Sequence, residues 1–349
     1  MRELSNNKTG AYTAARSGAA RQLPWHSWRP VTMIRLFTIN NNLIAELKYE
    51  EENFAAVLPA AAWIDARSPT EEETRHLESF LKTEMPDADE YEEIEDSARC
   101  YVDHNGIHVS SLYLVNIEGK YETRSVACIL NPERLITIRD ERIPDFRLFR
   151  MRAKRGQIEC ASSAAILISL MEQKVENLAD ILEHLYHKLE TISQPVLSEQ
   201  ITSPEQVVSE LAFAEDSNGK TRLCLMDTHR DTSFLLRHLK GDTSLPDVCR
   251  EITRDIDALL SHSNFLFEKI NFLMGFMQGY VSIQQNKIIK IFSIAAVVFL
   301  PPTLVASIYG MNFTFMPELE WLLGYPVALV LMIIAGIAPY WYFKRKGWL

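Results

Sequence analysis

The sequence lacks an excess of basic residues. Its 46 Asp and Glu residues outnumber the 36 Lys and Arg residues, which gives a formal net charge of −10. A domain that binds nucleic acid needs clustered basic surface, so this balance argues against a nucleic-acid partner. An acidic chain suits a protein that handles cations.

Cysteine is scarce and follows no pattern. The five cysteines lie singly along the chain and form no CxxC pair; they are Cys100, Cys128, Cys160, Cys224 and Cys249. Disulfide frameworks and zinc sites are recognised by recurring short spacings. We therefore expect reduced thiols in a cytosolic region.

Motifs of the common enzyme classes are also missing. The sequence contains no glycine-rich phosphate loop, no HExxH and no nucleophile elbow, which weighs against an enzyme. Asp103, His104 and His108 flank a predicted hairpin turn. There we expect exposed structural residues rather than a metal site.

Residues 1–32 lack both an apolar stretch and a periodic pattern. They are rich in Arg, Ser, Ala and Asn, and Pro24 and Pro30 interrupt them. A secretory signal needs an apolar core that is absent here. We predict a disordered N-terminal extension over 1–32, with the folded chain beginning at Met33.

Two long stretches near the C-terminus lack charge altogether. They run from Ile291 to Tyr309 and from Trp321 to Phe343, and about 20 apolar residues cross a hydrocarbon core as a helix. The connecting residues 310–320 are too few for a folded domain, so the two spans form a hairpin.

The flanking charges predict the orientation of this hairpin. Lys287 and Lys290 precede the first span and Lys344, Arg345 and Lys346 follow the second, whereas the loop carries Glu318 and Glu320 but no basic residue. Lys and Arg accumulate on the cytoplasmic side. We expect both termini to be cytoplasmic in a multi-pass protein.

The residues after Met33 show a mixed pattern typical of an α+β cytosolic domain with long helices. Strand pairs are predicted around Asn40–Asn42, around Asn105-Gly106 and around Asn131-Pro132. Ser68-Pro69-Thr70-Glu71 has capping-box spacing with proline at the first helical position, which predicts a helix towards Met85. Long helices are predicted from Gln157 to about Gln194 and from Pro204 to about Leu239.

The last soluble helix is predicted to continue into the membrane. No proline lies between Pro246 and Pro301, and a continuous helix of that length would extend roughly 80 Å. The predicted divisions are a cytosolic α/β domain at 33–155, a helical region at 156–245, a stalk helix at 246–290, a first transmembrane helix at 291–309, a periplasmic loop at 310–320, a second transmembrane helix at 321–343 and a basic cytosolic tail at 344–349.

The loop between the spans carries a specific motif. Gly310-Met311-Asn312-Phe313 is followed by MPEL, a tryptophan, GYP and the terminal YFKRKGWL. Together with RLCLMDT, IIKIFS and VVFLPPTLVAS, this segment resembles the CorA magnesium transporter family, and the resemblance extends from about Met33 to the end. It implies a funnel-shaped homopentameric channel in the cell inner membrane that moves Mg²⁺ inward, with Co²⁺ and Ni²⁺ as further candidate ions.

The resemblance also implies roles for particular residues. A stripe on the first span recurs at three- or four-residue spacing and corresponds to the family's pore lining; it comprises Asn286, Ile289, Phe292, Ser293, Ala296, Leu300, Thr303 and Ser307. Gly310, Met311 and Asn312 correspond to the selectivity filter. Ordinary packing between helices is the alternative for the stripe, and Pro301-Pro302 predicts a kink.

Carboxylates in the soluble region are candidates for regulation. Glu251, Asp255 and Asp257 lie at the base of the stalk helix, and the run from Asp87 to Asp96 is acidic. In the family, acidic sites between subunits sense intracellular Mg²⁺, so Glu251 and Asp255 are candidate regulatory ligands. A merely solvated acidic face is the alternative.

Two other functions stay open from the sequence. One is a zinc transporter of the same fold that resembles ZntB, although the intact GMNF and MPEL motifs favour Mg²⁺. The other is a membrane-anchored structural or signalling protein whose hairpin serves only as an anchor.

Overall fold

The computed structural model describes residues 33–50, 53–81, 99–198, 201, 203–239, 244–312 and 315–347. The predicted extension over 1–32 and the acidic run from Asp87 to Asp96 lie outside these residues. The chain divides into two units. The first contains the described residues up to Ala179 and Leu223–Ala258, and the second contains Asp180–Arg222 and the described residues from Leu259 onward.

The first unit is built on one seven-stranded sheet. Its strands are β1 Met33–Asn40, β2 Leu43–Leu47, β3 Trp63–Arg67, β4 Cys100–Asp103, β5 Gly106–Ile117, β6 Lys120–Leu130 and β7 Leu135–Arg139. They lie in the order β2-β1-β3-β7-β6-β5-β4. All neighbours are antiparallel except β3 and β7.

The helices follow the strands and lengthen along the chain. They are α1 Phe54–Val57, α2 Glu71–Leu81, α3 Pro144–Lys154, α4 Ser163–Leu197, α5 Pro204–His238, α6 Leu245–Tyr309 and α7 Gly324–Arg345. Single 3-10 turns occupy Leu58–Ala60 and Pro317–Glu320. Helices α4, α5 and α6 each contribute residues to both units.

The three predicted hairpins are confirmed. Asn41 and Asn42 adopt positive φ angles of 51° and 62° between β1 and β2. Gly106 has φ 142°, and a β-carbon there would lie 2.2 Å from the carbonyl oxygen of Leu130, so no other residue fits this turn. The sequence pattern missed the long β5–β6 hairpin, whose turn at Glu118 and Gly119 also has positive φ angles.

Two helix starts in the first unit differ from their predictions. The capping box of α2 is formed by Thr70 and Glu73, since each backbone N–H is bonded to the other's side chain over 2.8 and 3.2 Å. Ser68, at φ 42°, and Pro69 therefore precede the helix. Helix α4 begins at Ser163 rather than Gln157, because Ser162 Oγ accepts the N–H of Ala165 over 3.1 Å and caps the helix there.

Each face of the sheet is covered by an apolar cluster. One contains Phe37, Trp63 and Tyr113 with Phe146 and Phe149 of α3, and Phe37 stacks on Trp63 with ring centroids 4.7 Å apart. The other contains Ile64, Ile129 and Ile136 with Leu77 of α2, among others. Strand β3 is buried on both faces, which removes the polar–apolar alternation and explains why the sequence did not reveal it.

Two groups of charged residues are buried in the first unit and are held by ion pairs. Asp65 accepts hydrogen bonds from Arg139 Nε and Nη2 over 3.1 and 2.8 Å and from Arg150 Nη1 over 2.6 Å. Lys174 Nζ lies 3.6 Å from Asp227 Oδ2, and Arg99 Nη1 lies 2.9 Å from Asp227 Oδ1. Removing one partner of such a pair leaves an uncompensated buried charge.

All five cysteines are free. Burial raises the pKa of Cys100, Cys128 and Cys224 to about 12 and that of Cys160 and Cys249 to about 11. These thiols are therefore protonated at neutral pH and unreactive.

Candidate functional site

Two helices of the second unit are long and apolar enough to cross a membrane. The first is Leu245–Tyr309, whose C-terminal part is the apolar one, and the second is Gly324–Arg345. The most apolar window of α6 has no buried residue and that of α7 is 11% buried, which distinguishes them from core helices of a soluble domain. Helix α6 continues through Pro301 and Pro302 to Tyr309.

One face of α6 packs against α7. Its half-buried positions recur at helical spacing: Ile294, Val298, Pro302, Val305 and Tyr309. A β-carbon at Gly336 of α7 would lie 3.3 Å from Cγ of Pro302, so glycine permits this close approach.

The predicted stripe lies on the other side of α6. Pro302 is two residues beyond Leu300, which places it about 200° around the helix. All eight stripe residues are exposed, including Phe292 at 71% and Leu300 at 67%. Packing against the protomer's own second span therefore does not account for the stripe.

The candidate filter begins where α6 ends. Gly310 N donates to Ala306 O over 2.9 Å, and Met311 N donates to Ile308 O over 3.3 Å. A β-carbon at Gly310 would lie 3.1 Å from Ala306 O, so a larger residue would strain this exit from the helix. Asn312 is exposed, whereas Phe313 lies outside the described residues.

The second span starts later than predicted. Helix α7 begins at Gly324 rather than Trp321, because Gly324 N donates to Trp321 O over 3.0 Å and closes a turn before the helix. A β-carbon at Gly324 would lie only 2.3 Å from the carbonyl oxygen of Glu318. Pro326 then occupies the first helical turn, where its missing N–H is not needed.

One of the two candidate regulatory residues, Glu251, borders a cleft in the first unit. Glu251 lines a cavity of about 440 Å³ together with Glu172 and Glu176 of α4 and Arg152 of α3. Arg152 Nη1 donates to Glu176 Oε2 over 2.5 Å. Partial burial, with the charges of Glu176, Glu251 and Asp255, raises the pKa of Glu172.

The sequence did not reveal Glu172 and Glu176 as part of this cleft. Glu172 and Glu176 are four residues apart, and two like charges at that spacing weaken a helix. This unfavourable spacing was the one sign in the sequence that the two residues have a role outside the helix. Among the described residues, no group of three His, Cys, Asp or Glu side chains is arranged to hold a metal ion. The acidic cleft of one protomer is therefore incomplete as a metal site.

The sequence predicted exposed residues near the β4–β5 turn, and for His108 this is wrong. His108 is 4% exposed rather than solvated; its Nε2 lies 3.0 Å from Asp103 Oδ1, and its ring stacks on Tyr101. Asp103 Oδ1 also accepts the N–H groups of Asn105 and Gly106 over 2.8 and 3.0 Å. These contacts hold the turn together.

Two uncovered apolar helices joined by a short loop define a membrane protein with a C-terminal helical hairpin. The model of the family described as CorA-like Mg²⁺ transporter protein matches residues 60–345. The magnesium transport proteins CorA of Yersinia pseudotuberculosis and Escherichia coli K12 are 43% and 44% identical over 319 residues, which is 91% of this chain and 100% of each relative. The chain belongs to the CorA-like Mg²⁺ transporter family.

A solved structure shows the same fold. The complete structure of the CorA magnesium transporter from Methanocaldococcus jannaschii matches with a TM-score of 0.71, covering 91% of this chain and 99% of that chain. The identity of 18% means that this likeness concerns the fold alone. The resemblance found in the sequence is confirmed by the family match.

Proposed function

We propose that this protein is a Mg²⁺ channel of the inner membrane that conducts the ion into the cell down its electrochemical gradient, with both termini cytoplasmic. The observation that carries the proposal is the uncovered stripe of α6, which lies opposite the face that packs on α7. A helix that only anchored the chain would need no such stripe of alternating polar and apolar residues.

One hairpin cannot enclose a polar path, because polar groups at membrane depth need protein or water partners. Several copies must therefore contribute their stripes to a ring. The family resemblance supports five copies, with α6 inside and α7 outside. In this arrangement Asn286, Thr303 and Ser307 supply polar rings, and Ile289, Phe292 and Leu300 supply apolar constrictions that can block ions by dewetting.

Selectivity is assigned to Gly310, Met311 and Asn312. Mg²⁺ demands octahedral oxygen coordination and gives up its waters reluctantly. A ring of Asn312 amides can bind the hydrated ion through hydrogen bonds, without the Coulomb attraction that would trap it. Gly310 supports this role by allowing the chain to leave the helix within a single turn.

Regulation is assigned to the acidic cleft. Burial raises the pKa of Glu172, and the nearby charges of Glu176, Glu251 and Asp255 raise it further, so these carboxylates repel one another. A divalent cation relieves such repulsion if a neighbouring subunit completes its coordination. A ligand shifts a gate only when it binds one state better than the other, so we infer that intracellular Mg²⁺ favours a closed arrangement that brings these groups together.

The filter assignment is tested by Asn312→Ala. We expect this variant to assemble normally but to lose Mg²⁺ uptake into proteoliposomes, because an exposed loop side chain contributes little packing energy. Glu320→Gln in the same loop is the matched control and should retain uptake. Wild-type flux through correctly assembled Asn312→Ala would remove the filter assignment and restore the anchor alternative.

Competition by Co²⁺, Ni²⁺ and Zn²⁺ in the same proteoliposomes tests ion preference. We expect Mg²⁺ to be transported, with Co²⁺ and Ni²⁺ competing for the same path. Uptake of Zn²⁺ without Mg²⁺ would favour the zinc transporter that the sequence left open.

The regulatory assignment is tested with Glu251→Gln combined with Asp255→Asn. We expect a higher internal Mg²⁺ concentration to be needed for inhibition, since the ligand charge is reduced. Replacing Glu183 with Gln, on an exposed part of α4, provides a control for the loss of surface charge. An unchanged dose–response curve would show that these residues are not the sensor.

A further inference from the structure

A groove runs between the two membrane helices on the side of α6 away from the stripe. Its lining includes Val298, Phe299 and Pro302 of α6 and Ile333, Gly336 and Tyr340 of α7. Its volume is about 490 Å³. Apart from the Tyr340 hydroxyl, the lining side chains are apolar, so the groove offers hydrocarbon contacts at membrane depth.

Basic residues flank the groove-lining part of the two helices at one end only. Its positions on α7 recur every three or four residues, and Lys344 follows Tyr340 by four, on the same face of the helix. Arg345 and Lys346 adjoin it, and Lys287 and Lys290 precede the span on α6. At the other end, the loop carries Glu318 and Glu320.

We propose that this groove binds an anionic phospholipid, with an acyl chain along the groove and the phosphate group at Lys344. Basic residues at the cytoplasmic end of membrane helices are the usual partners of anionic head groups. A helix from a second copy would fill the apolar part but would not account for the charge at one end. The proposal depends on the membrane location of the hairpin and not on the ion pathway.

The acyl-chain contact is tested with neighbouring isoleucines. Ile333 and Ile334 are 59% and 57% exposed, but only Ile333 lines the groove. The full-length protein is purified in mild detergent, and its bound lipid is exchanged for phosphatidylglycerol or phosphatidylcholine. The amount of phospholipid retained per chain is then measured. We expect Ile333→Trp to lower retention of phosphatidylglycerol severalfold, and Ile334→Trp to match the wild type.

The head-group contact is tested with neighbouring basic residues. The Arg345 guanidinium lies 5.4 Å from the ring centre of Trp341, away from the groove face. We expect Lys344→Gln to lower the preference for phosphatidylglycerol over phosphatidylcholine by about fivefold, the effect of one basic residue near an anionic surface. Arg345→Gln should reduce it less.

Two results would overturn the proposal. One is equal retention of the two lipids by the wild type together with equal retention by the two tryptophan variants. The other is a change of oligomer size in Ile333→Trp with unchanged lipid retention, which would assign the groove to a second copy of the chain.

Discussion

The first unit buries charge and the second exposes apolar surface. Asp65, Lys174 and Asp227 are almost fully buried in the first unit, where ion pairs compensate them. In the second unit, Phe292 and Leu300 are more than half exposed, in a span without any charge. The difference follows from the surroundings, because a helix in hydrocarbon gains nothing by hiding apolar side chains, whereas a charge that a folded domain buries is costly unless it is paired.

The largest expected effect on stability comes from the buried ion pairs of the first unit. Asp65→Ala leaves Arg139 and Arg150 without their shared carboxylate, so we expect the free energy of unfolding to fall by about 3–5 kcal/mol. Urea unfolding of the solubilised full chain measures the change. Glu71→Ala removes an exposed pair with Arg75 at 3.3 Å and should cost less than about 1 kcal/mol.

Equal losses from Asp65→Ala and Glu71→Ala would contradict the view that burial decides the energetic weight of these pairs. A fall in stability for Asp65→Ala alone would support it.

Asp145 of the first unit is a buried acid whose charge is not fully compensated. Burial raises the pKa of Asp145 from 3.8 to about 6, and its Oδ2 has no hydrogen-bond partner among the described residues. The folded chain therefore keeps this proton over a pH range in which the unfolded chain releases it. The resulting stabilisation of the folded chain is on the order of 3 kcal/mol in total. It is complete below about pH 4 and is lost as the pH rises to about 6.

Asp145→Asn removes this titration. We expect the stability of the wild type minus that of the variant to decrease between about pH 4 and pH 6, measured by urea unfolding at a series of pH values. A difference that stays flat over this range would mean that Asp145 is not the proton-binding group.

The sequence predicted the parts of the fold whose signals are local. Asn41, Asn42 and Gly106 mark turns through their own backbone preferences. In α6, apolar residues at helical spacing, such as Ile252, Ile256 and Ile270, are buried. Strand β3 was missed because burial on both faces erases alternation. The start of α4 was misplaced because Ser162, not Gln157, satisfies the first N–H groups.

The residues of the candidate site also divide into those that local sequence signals predict and those that they do not. The stripe from Asn286 to Ser307 could be listed from helical spacing, since one helix determines which residues share a face. The cleft beside Glu251 could not, because Glu172 lies far away in the sequence and is brought there by tertiary packing. Residues contributed by another copy are still harder to read from one chain.

The smallest expected effect on stability comes from the stripe, and it sharpens the comparison most. Phe292 is exposed in the protomer, so Phe292→Ser should change the free energy of unfolding by no more than about 0.5 kcal/mol. It should nevertheless weaken the block of ions, because a polar ring no longer excludes water from the constriction.

Ile291→Ser is the matched control, since Ile291 is 66% exposed but lies off the stripe. Mg²⁺ uptake at high internal Mg²⁺, measured in proteoliposomes, should rise for Phe292→Ser and not for Ile291→Ser. If both variants conduct like the wild type, the exposed stripe is only membrane-facing surface, and the contrast between the two units reduces to the difference between their solvents.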